Sequence, residues 1–363
     1  MIDFRYHIVS LISVFLALAV GIILGAGPLK ETIGNQLTGQ VEQLRAEKEA
    51  LRTELDAQTA ASKDLDDYIS AASKRVVKDT LTDRRIAIIQ TGDTPDALFE
   101  ALKVQFENAG ATVTARLTLD ASFTDPEQAD SRQSYASSLV EFLPADQKDL
   151  PAEKALASAL IQAISEHAPD DADAMSQNAS LALDILNSAN LVHLVSYTAI
   201  PVDAVVILDA SKDPNVDGNT NGDDLTAAST LMINVGEAAA RQTEGVVVAS
   251  TSVVATDLVS TIRGNASAVN LISTVSDVNQ PVGQLNTPLA LAAAIGNKIG
   301  HFGFESSATA LVPAAVTLEP VDRTIEPPVT EEPTGEEADP DAETNPDNPA
   351  GLPTEGAEEE AVG

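Results

Sequence analysis

A run of nineteen residues without a formal charge, Ile8 to Ala26, constrains this chain more than any other stretch of it. At about 1.5 Å of rise per residue it makes a helix of roughly 28 Å, which matches a hydrocarbon core of about 30 Å. Such a segment is either a membrane span or a cleaved leader. Leaders carry an apolar region of only about 7 to 15 residues and end at a small-x-small site. Cutting after Ala26 would set Leu24 where a small residue belongs, and cutting after Gly27 would put Pro28 just past the bond. The sequence therefore predicts an uncleaved anchor over residues 1–29. Arg5 and the terminal amine precede the span and Lys30 follows it, so charge bias alone decides little. The simplest topology is a single pass through the cell membrane, with the N-terminus inside and the bulk of the chain outside.

Beyond the anchor, over residues 30–80, one register explains the apolar pattern. Steps of four and three lead through Leu37, Val41, Leu44, Lys48, Leu51, Leu55, Gln58, Ser62, Leu65, Ile69, Ala72 and Val76, and nine of these twelve positions are apolar. Between them, VEQLRAEKEALRTELDAQ is rich in helix formers and carries both charge signs. A period of 3.5 held this long predicts a left-handed coiled coil. Two anchored copies would meet with their N-termini level, so self-association through it should be parallel. Lys48 in the seam costs stability but disfavours other registers and higher oligomers. A hetero-coil with another membrane protein obeys the same physics, and a solvated single helix is the plainer alternative.

From Arg84 onward the period changes. IAIIQ, the turn TGDTP, a helical pattern from Pro95 to Asn108 and the run ATVTARLTL make a strand-helix-strand unit, with Thr94 placed to cap the helix and Gly110 after its end. SYASSLVEFL, PAEKALASALIQAISEHA and SLALDILNSA read as helices. Strands resume at LVHLV, DAVVILDA, GVVVAST and AVNLIST, with helical candidates between and after them. This alternation predicts an α/β domain over residues 84–304, a doubly wound, flavodoxin-like parallel sheet whose strand order the sequence does not reveal. From Glu305 the pattern dissolves. Thirteen acids, seven prolines and no basic residue lie between Thr324 and Gly363, so residues 305–363 read as a disordered acidic tail.

In doubly wound sheets ligands sit beyond the carboxyl ends of the strands. Those ends offer Asp93, Asp209, Ser250, Thr251 and Asp277. Two carboxylates such as Asp93 and Asp209 could share acid and base roles or hold a cation, although Asp, Ser and Thr at such places mostly serve as caps and turns. No dinucleotide fingerprint, P-loop, nucleophile elbow or zincin motif is present, so no enzyme and no required cofactor is expected. Asp217, Asn219, Asn221 and Gly222 fit the first half of a calcium loop, but its twelfth position is Ala228, not an acid. The four histidines, His7, His167, His193 and His301, show no helical pairing, and the three methionines, Met1, Met175 and Met232, stand apart in the sequence. His193, alternating with apolar residues in LVHLV, reads as a packed strand histidine.

The chain has no cysteine, which removes disulfides and thiolate metal sites. A formal charge of -34 makes nucleic acid an unfavourable partner.

The anchor RYHIVSLISVFLALAVGIILGAGPL, the stalk, the segment NLISTVSDVNQPVGQ, the alanine-rich helix after it and IGHFGF together resemble the MctB copper-transport family, which includes SteB-like envelope proteins of bacteria with mycolic-acid outer layers. The likeness runs from Met1 to about Phe304. It implies a part in copper export or homeostasis, with copper as a ligand. For SteB-like members it implies instead a scaffold for envelope assembly and division, working with a SteA-like membrane partner and with no copper role. A spanning barrel needs repeated alternating strands with aromatic girdles, which a chain with 3% aromatic residues and βα alternation does not supply. A single helix per copy encloses no polar pore either. Copper transport would then proceed through a partner complex that this chain assists.

Overall fold

A computed structural model describes residues 4–26, 28–92, 94–210, 222–251 and 257–325. Asp93, the half calcium loop Asp217, Asn219 and Asn221, and the acidic run from Glu326 lie outside the described residues.

Helix α1, Phe4–Ala26, is apolar on all sides from Ile8 onward apart from Ser10 and Ser13, is exposed from Phe4 to Gly25, and is long and apolar enough to cross a membrane. Helix α2, Pro28–Val77, then runs for 50 residues. Leu37, Leu44, Leu51, Leu55 and Leu65 on it are each about 60% exposed, an apolar stripe that no described residue covers. At its far end the helix meets the head: Ile69 and Ala72 are half-buried, Ser73 and Val77 are buried, and Ser73 Oγ accepts a hydrogen bond from Gln105. Ile69, read above as part of the seam, is therefore turned partly toward the head.

The head holds a seven-stranded sheet in the order β5-β2-β1-β6-β7-β8-β9. Its strands are β1 (Arg85–Thr91), β2 (Thr112–Leu119), β5 (Val192–Tyr197), β6 (Ala204–Asp209), β7 (Gly245–Ser250), β8 (Ser273–Val275) and β9 (His301–Phe302). β3 (His167–Ala168) and β4 (Asp171–Met175) form a separate antiparallel hairpin. All neighbours in the main sheet are parallel except β5, which lies antiparallel on the outer side of β2. The central strands are Val/Ile-rich and buried on both faces, as a sheet covered twice requires.

One face is covered by α6 (Ala152–Ser165) and α8 (Gly222–Gln242), flanked by α5 (Ala129–Leu139), α7 (Gln177–Ser188) and α9 (Leu258–Gly264); α4 (Ala121–Thr124) is a single turn. Residues Ala155 to Ile164 of α6 are all buried, because alanines on its outer side let neighbouring helices close over it. The other face is covered by α3 (Asp96–Asn108), α10 (Pro281–Ile295) and the end of the stalk through Val77 and Leu81.

Four local expectations change. Thr94 does not cap α3; its hydroxyl donates to Thr91 O at 3.1 Å, and Pro95 starts the helix without a side-chain cap. The helix predicted to run to Ala168 stops at Ser165, where Glu166 turns extended and opens the β3–β4 hairpin. His193 is exposed, because Val192 and Leu194 take the core side of β5. Residues 305–325, expected to belong to the tail, run along the head: Val316 and Leu318 pack on its core, Glu319 O accepts from Arg84 at 3.1 Å, and Arg323 pairs with Asp203 at 2.5 Å.

Candidate functional site: the carboxyl ends of the parallel strands

The chain leaves β1 for α3 on one face and β6 for α8 on the other, so these adjacent strand ends are the switch point at which doubly wound sheets form a crevice. Register places Thr91 beside Asp209 and Asp209 beside Ser250. Thr91 Oγ1 donates to Asp209 Oδ1 at 2.6 Å, and Thr251 N donates to Asp209 O at 3.3 Å. Ser250 is fully buried, and its carbonyl accepts from Val278 N at 3.1 Å. Of the three carboxylates singled out from the sequence, Asp209 stands at this crevice and Asp277 does not. Asp277 follows β8, two strands away, or about 10 Å of sheet, too far to share a proton or ion with Asp209.

Asp277 has a local structural task. It sits at φ 55° and its carboxylate accepts from Ser276 Oγ at 3.1 Å. A Cβ on Gly283, in the first turns of α10, would lie 2.3 Å from Asp277 O, so glycine is required for that helix to approach.

Beside it lies a buried polar cluster that the sequence did not announce. The Arg263 side chain is 5% exposed. Its Nε donates to Thr274 Oγ1 at 3.0 Å, Nη1 donates to Ser307 Oγ at 2.9 Å and faces Glu305 Oε2 at 3.6 Å, and Nη2 donates to Phe302 O at 3.3 Å. Burial lowers the Arg263 pKa, while the carboxylates of Glu305, Asp257 and Asp277 raise it. This cation ties β8 and β9 to the segment after Phe304.

His301 completes the cluster. Its Nε2 faces Val269 O at 3.1 Å, and a carbonyl only accepts, so Nε2 carries the proton. Nδ1 then accepts from Thr274 Oγ1 at 3.0 Å, with the Thr274 proton free to donate because Arg263 supplies its other bond. Both ring nitrogens are committed, which leaves none for a metal. Burial holds this imidazole below its ordinary value of 6.5, against the Val269 bond that raises it and with the Arg263 charge that lowers it further. The unfolded chain therefore binds this proton at higher pH than the folded one. Stability from this site is complete above about 6.5 and is lost as pH falls through the lower folded value. His301→Gln is expected to flatten the acid side of the stability profile below about pH 6.5, measured by urea midpoints across pH; an unchanged slope would show that His301 does not set it.

Among the described residues, no group of three His, Cys, Asp or Glu converges as a metal site. The described strand ends carry a hydroxyl, a carboxylate and backbone groups that bond to one another.

The family described as "Copper transport outer membrane protein, MctB" matches residues 1–313. Proteins named "Copper transporter MctB" from Mycobacterium tuberculosis and Mycobacterium bovis are each 28% identical over 320 residues, covering 84% of this chain and 96% of theirs. One of the same name from Mycobacterium leprae is 29% identical over 145 residues, covering 40% of this chain and 45% of its own.

Proposed function

The chain belongs to the MctB family, and from that premise we propose that it is a single-pass envelope protein serving copper transport by presenting its head to another component. The observation that carries this reading is the extent of the match, which takes in anchor, stalk and head together. The relatives named above are all called copper transporters, which favours copper over the division scaffold. The described head favours assistance over conduction. It is an open sheet with edges at β5 and β9, mostly parallel and covered by helices, whereas a spanning barrel closes antiparallel strands. Taking β1, β2, β6, β7 and β8 as first to fifth, their spatial order is 2-1-3-4-5, the order of flavodoxin-like sheets, whose ligands bind at the switch point.

In this reading the N-terminus is inside, the head is outside, and two chains pair in parallel through α2. Charge supports the parallel sense. With Leu37, Leu44 and Leu51 at one seam position and Val41, Lys48 and Leu55 at the other, parallel pairing sets Glu47 against Arg52 of the second helix and Gln40 against its Arg45. The pairing is clearest from Leu37 to Leu65, because Ile69 and Ala72 already turn partly to the head.

Deleting the gene is expected to raise intracellular copper several-fold under copper challenge, measured by elemental analysis of washed cells. Unchanged copper would overturn the copper role. Copper conduction by the pure full-length protein in an otherwise empty lipid film would overturn the assisting role.

A further inference from the structure

The β3–β4 hairpin brings together two residues that stand apart in the sequence. His167 and Met175 are directly opposed across it. Ser176 N donates to Glu166 O at 3.0 Å, which makes Glu166 and Ser176 a hydrogen-bonded pair. Pairs alternate along an antiparallel ladder, so His167 and Met175 form the non-hydrogen-bonded kind, whose Cα atoms approach to about 4.5 Å with side chains on the same face. His167 is exposed and Met175 is half-buried.

The imidazole is already oriented. His167 Nδ1 lies 2.7 Å from Ala168 O, a carbonyl that can only accept, so Nδ1 holds the proton and Nε2 presents its lone pair. A ring nitrogen fixed by a backbone carbonyl is the arrangement that metal-binding histidines use to orient the free one. Hairpin residues 166–175 include Glu166, Asp170, Asp171 and Asp173 and no Lys or Arg; Arg85 and Arg323 face Asp173 from outside the hairpin and offset part of this negative charge. Two of these acids are otherwise engaged: Glu166 accepts from Ser176 and Gln162, and Asp173 binds Arg85. An imidazole nitrogen beside a thioether sulfur is a borderline and soft donor pair. Thioether sulfur selects Cu(I) over Zn(II) or Mg(II), and Cu(I) tolerates low coordination.

We propose that His167 Nε2 and Met175 Sδ form a surface site for Cu(I), or a chemically similar soft monovalent cation, on the β3–β4 hairpin of the head. The site is separate from the crevice at the strand ends. Arg85, the first residue of β1, donates to Ala172 O at 3.1 Å, so the hairpin lies at the opposite end of the sheet, where the stalk enters. This inference rests on the copper reading given above for its choice of ion.

The test uses the full chain in detergent, under anaerobic conditions, titrated with Cu(I) against a chromogenic chelator and with Ag(I) as a redox-inert probe. The expected result is one equivalent bound, with Ag(I) shifting the methyl resonance of Met175 and not that of buried Met232. Met175→Leu and His167→Gln are each expected to weaken Cu(I) binding at least tenfold while the circular dichroism spectrum is retained. Equal affinity in wild type and the double variant, or an unmoved Met175 methyl, would overturn the site. In cells, normal copper tolerance with Met175→Leu in place of the native gene, where the deletion is copper-loaded, sinks the site and spares the copper role. A deletion with ordinary copper content sinks the role, and the titration alone then decides the site.

Discussion

Leu51→Pro is expected to remove function while leaving the head folded. Leu51 is 60% exposed in the middle of α2, and the core nearest to it begins only at Val77, so the substitution takes nothing from the head. Proline there deletes the hydrogen bond to the carbonyl four residues back and its ring clashes with that carbonyl, at a cost of about 3 kcal/mol or more. In a lone solvated helix that cost would produce a local kink. In a paired stalk it also breaks the seam between Leu44 and Leu55 and displaces Glu47 from Arg52 of the second chain. The expected outcome is loss of the cross-linked dimer in native membranes and failure to lower copper in the deletion strain. Asp209→Ala is the matching control, since it removes the Thr91 hydrogen bond at a cost of about 1 kcal/mol and leaves the stalk intact. A scaffold tolerates the second change and fails with the first. If Asp209→Ala fails and Leu51→Pro succeeds, the crevice is the working part and the stalk a mere spacer.

The features legible from sequence were those that repeat. The apolar run of α1 and the heptads from Leu37 announce helices, because length and period are properties of the chain itself. The alternation of Val/Ile runs with helical patterns likewise pointed to helices around a mostly parallel sheet. Strand order was not legible, since periodicity carries nothing about which strand lies beside which. The face taken by His193 was lost for a related reason: alternation is symmetrical, and a shift of one residue exchanges core and solvent sides. The hairpin escaped because the alanine-rich pattern of α6 runs without interruption into His167 and Ala168. What stops the helix is Pro169 and Asp170 in a tight turn, and with that turn came the opposition of His167 to Met175. Asp209 was identified correctly as a strand-end residue, yet its link to Thr91 depends on β1 and β6 being neighbours, which only the folded sheet supplies.

The segment after Phe304 was missed because it has no regular apolar period and is held in part through its backbone. Leu311 O accepts from Asn286 Nδ2 at 2.8 Å, Ala315 O from Lys298 at 3.3 Å and Glu319 O from Arg84 at 3.1 Å, and carbonyls leave no mark in a sequence. The consequence is a sharp expectation about where the chain can be shortened. Ending it after Ile325 removes none of the contacts described for the head, so that truncation is the reference. Ending it after Phe304 strips Val316 and Leu318 from the core, unpairs Asp203 from Arg323, and takes Glu305 and Ser307 from Arg263. Removing one partner from a fully buried ion pair costs on the order of 3–5 kcal/mol; here the cost is smaller, because Asp257 and Asp277 still face Arg263, and the loss of Val316 and Leu318 from the core adds to it. Set against a total stability of about 5–15 kcal/mol for a domain, the shorter truncation should be unfolded or protease-sensitive near 37 °C. Urea unfolding and limited proteolysis of the two truncations beside the full chain measure this directly. Equal midpoints for both would mean that the head is complete at Phe304 and that Arg263 finds its counter-charge in Asp257 and Asp277 alone.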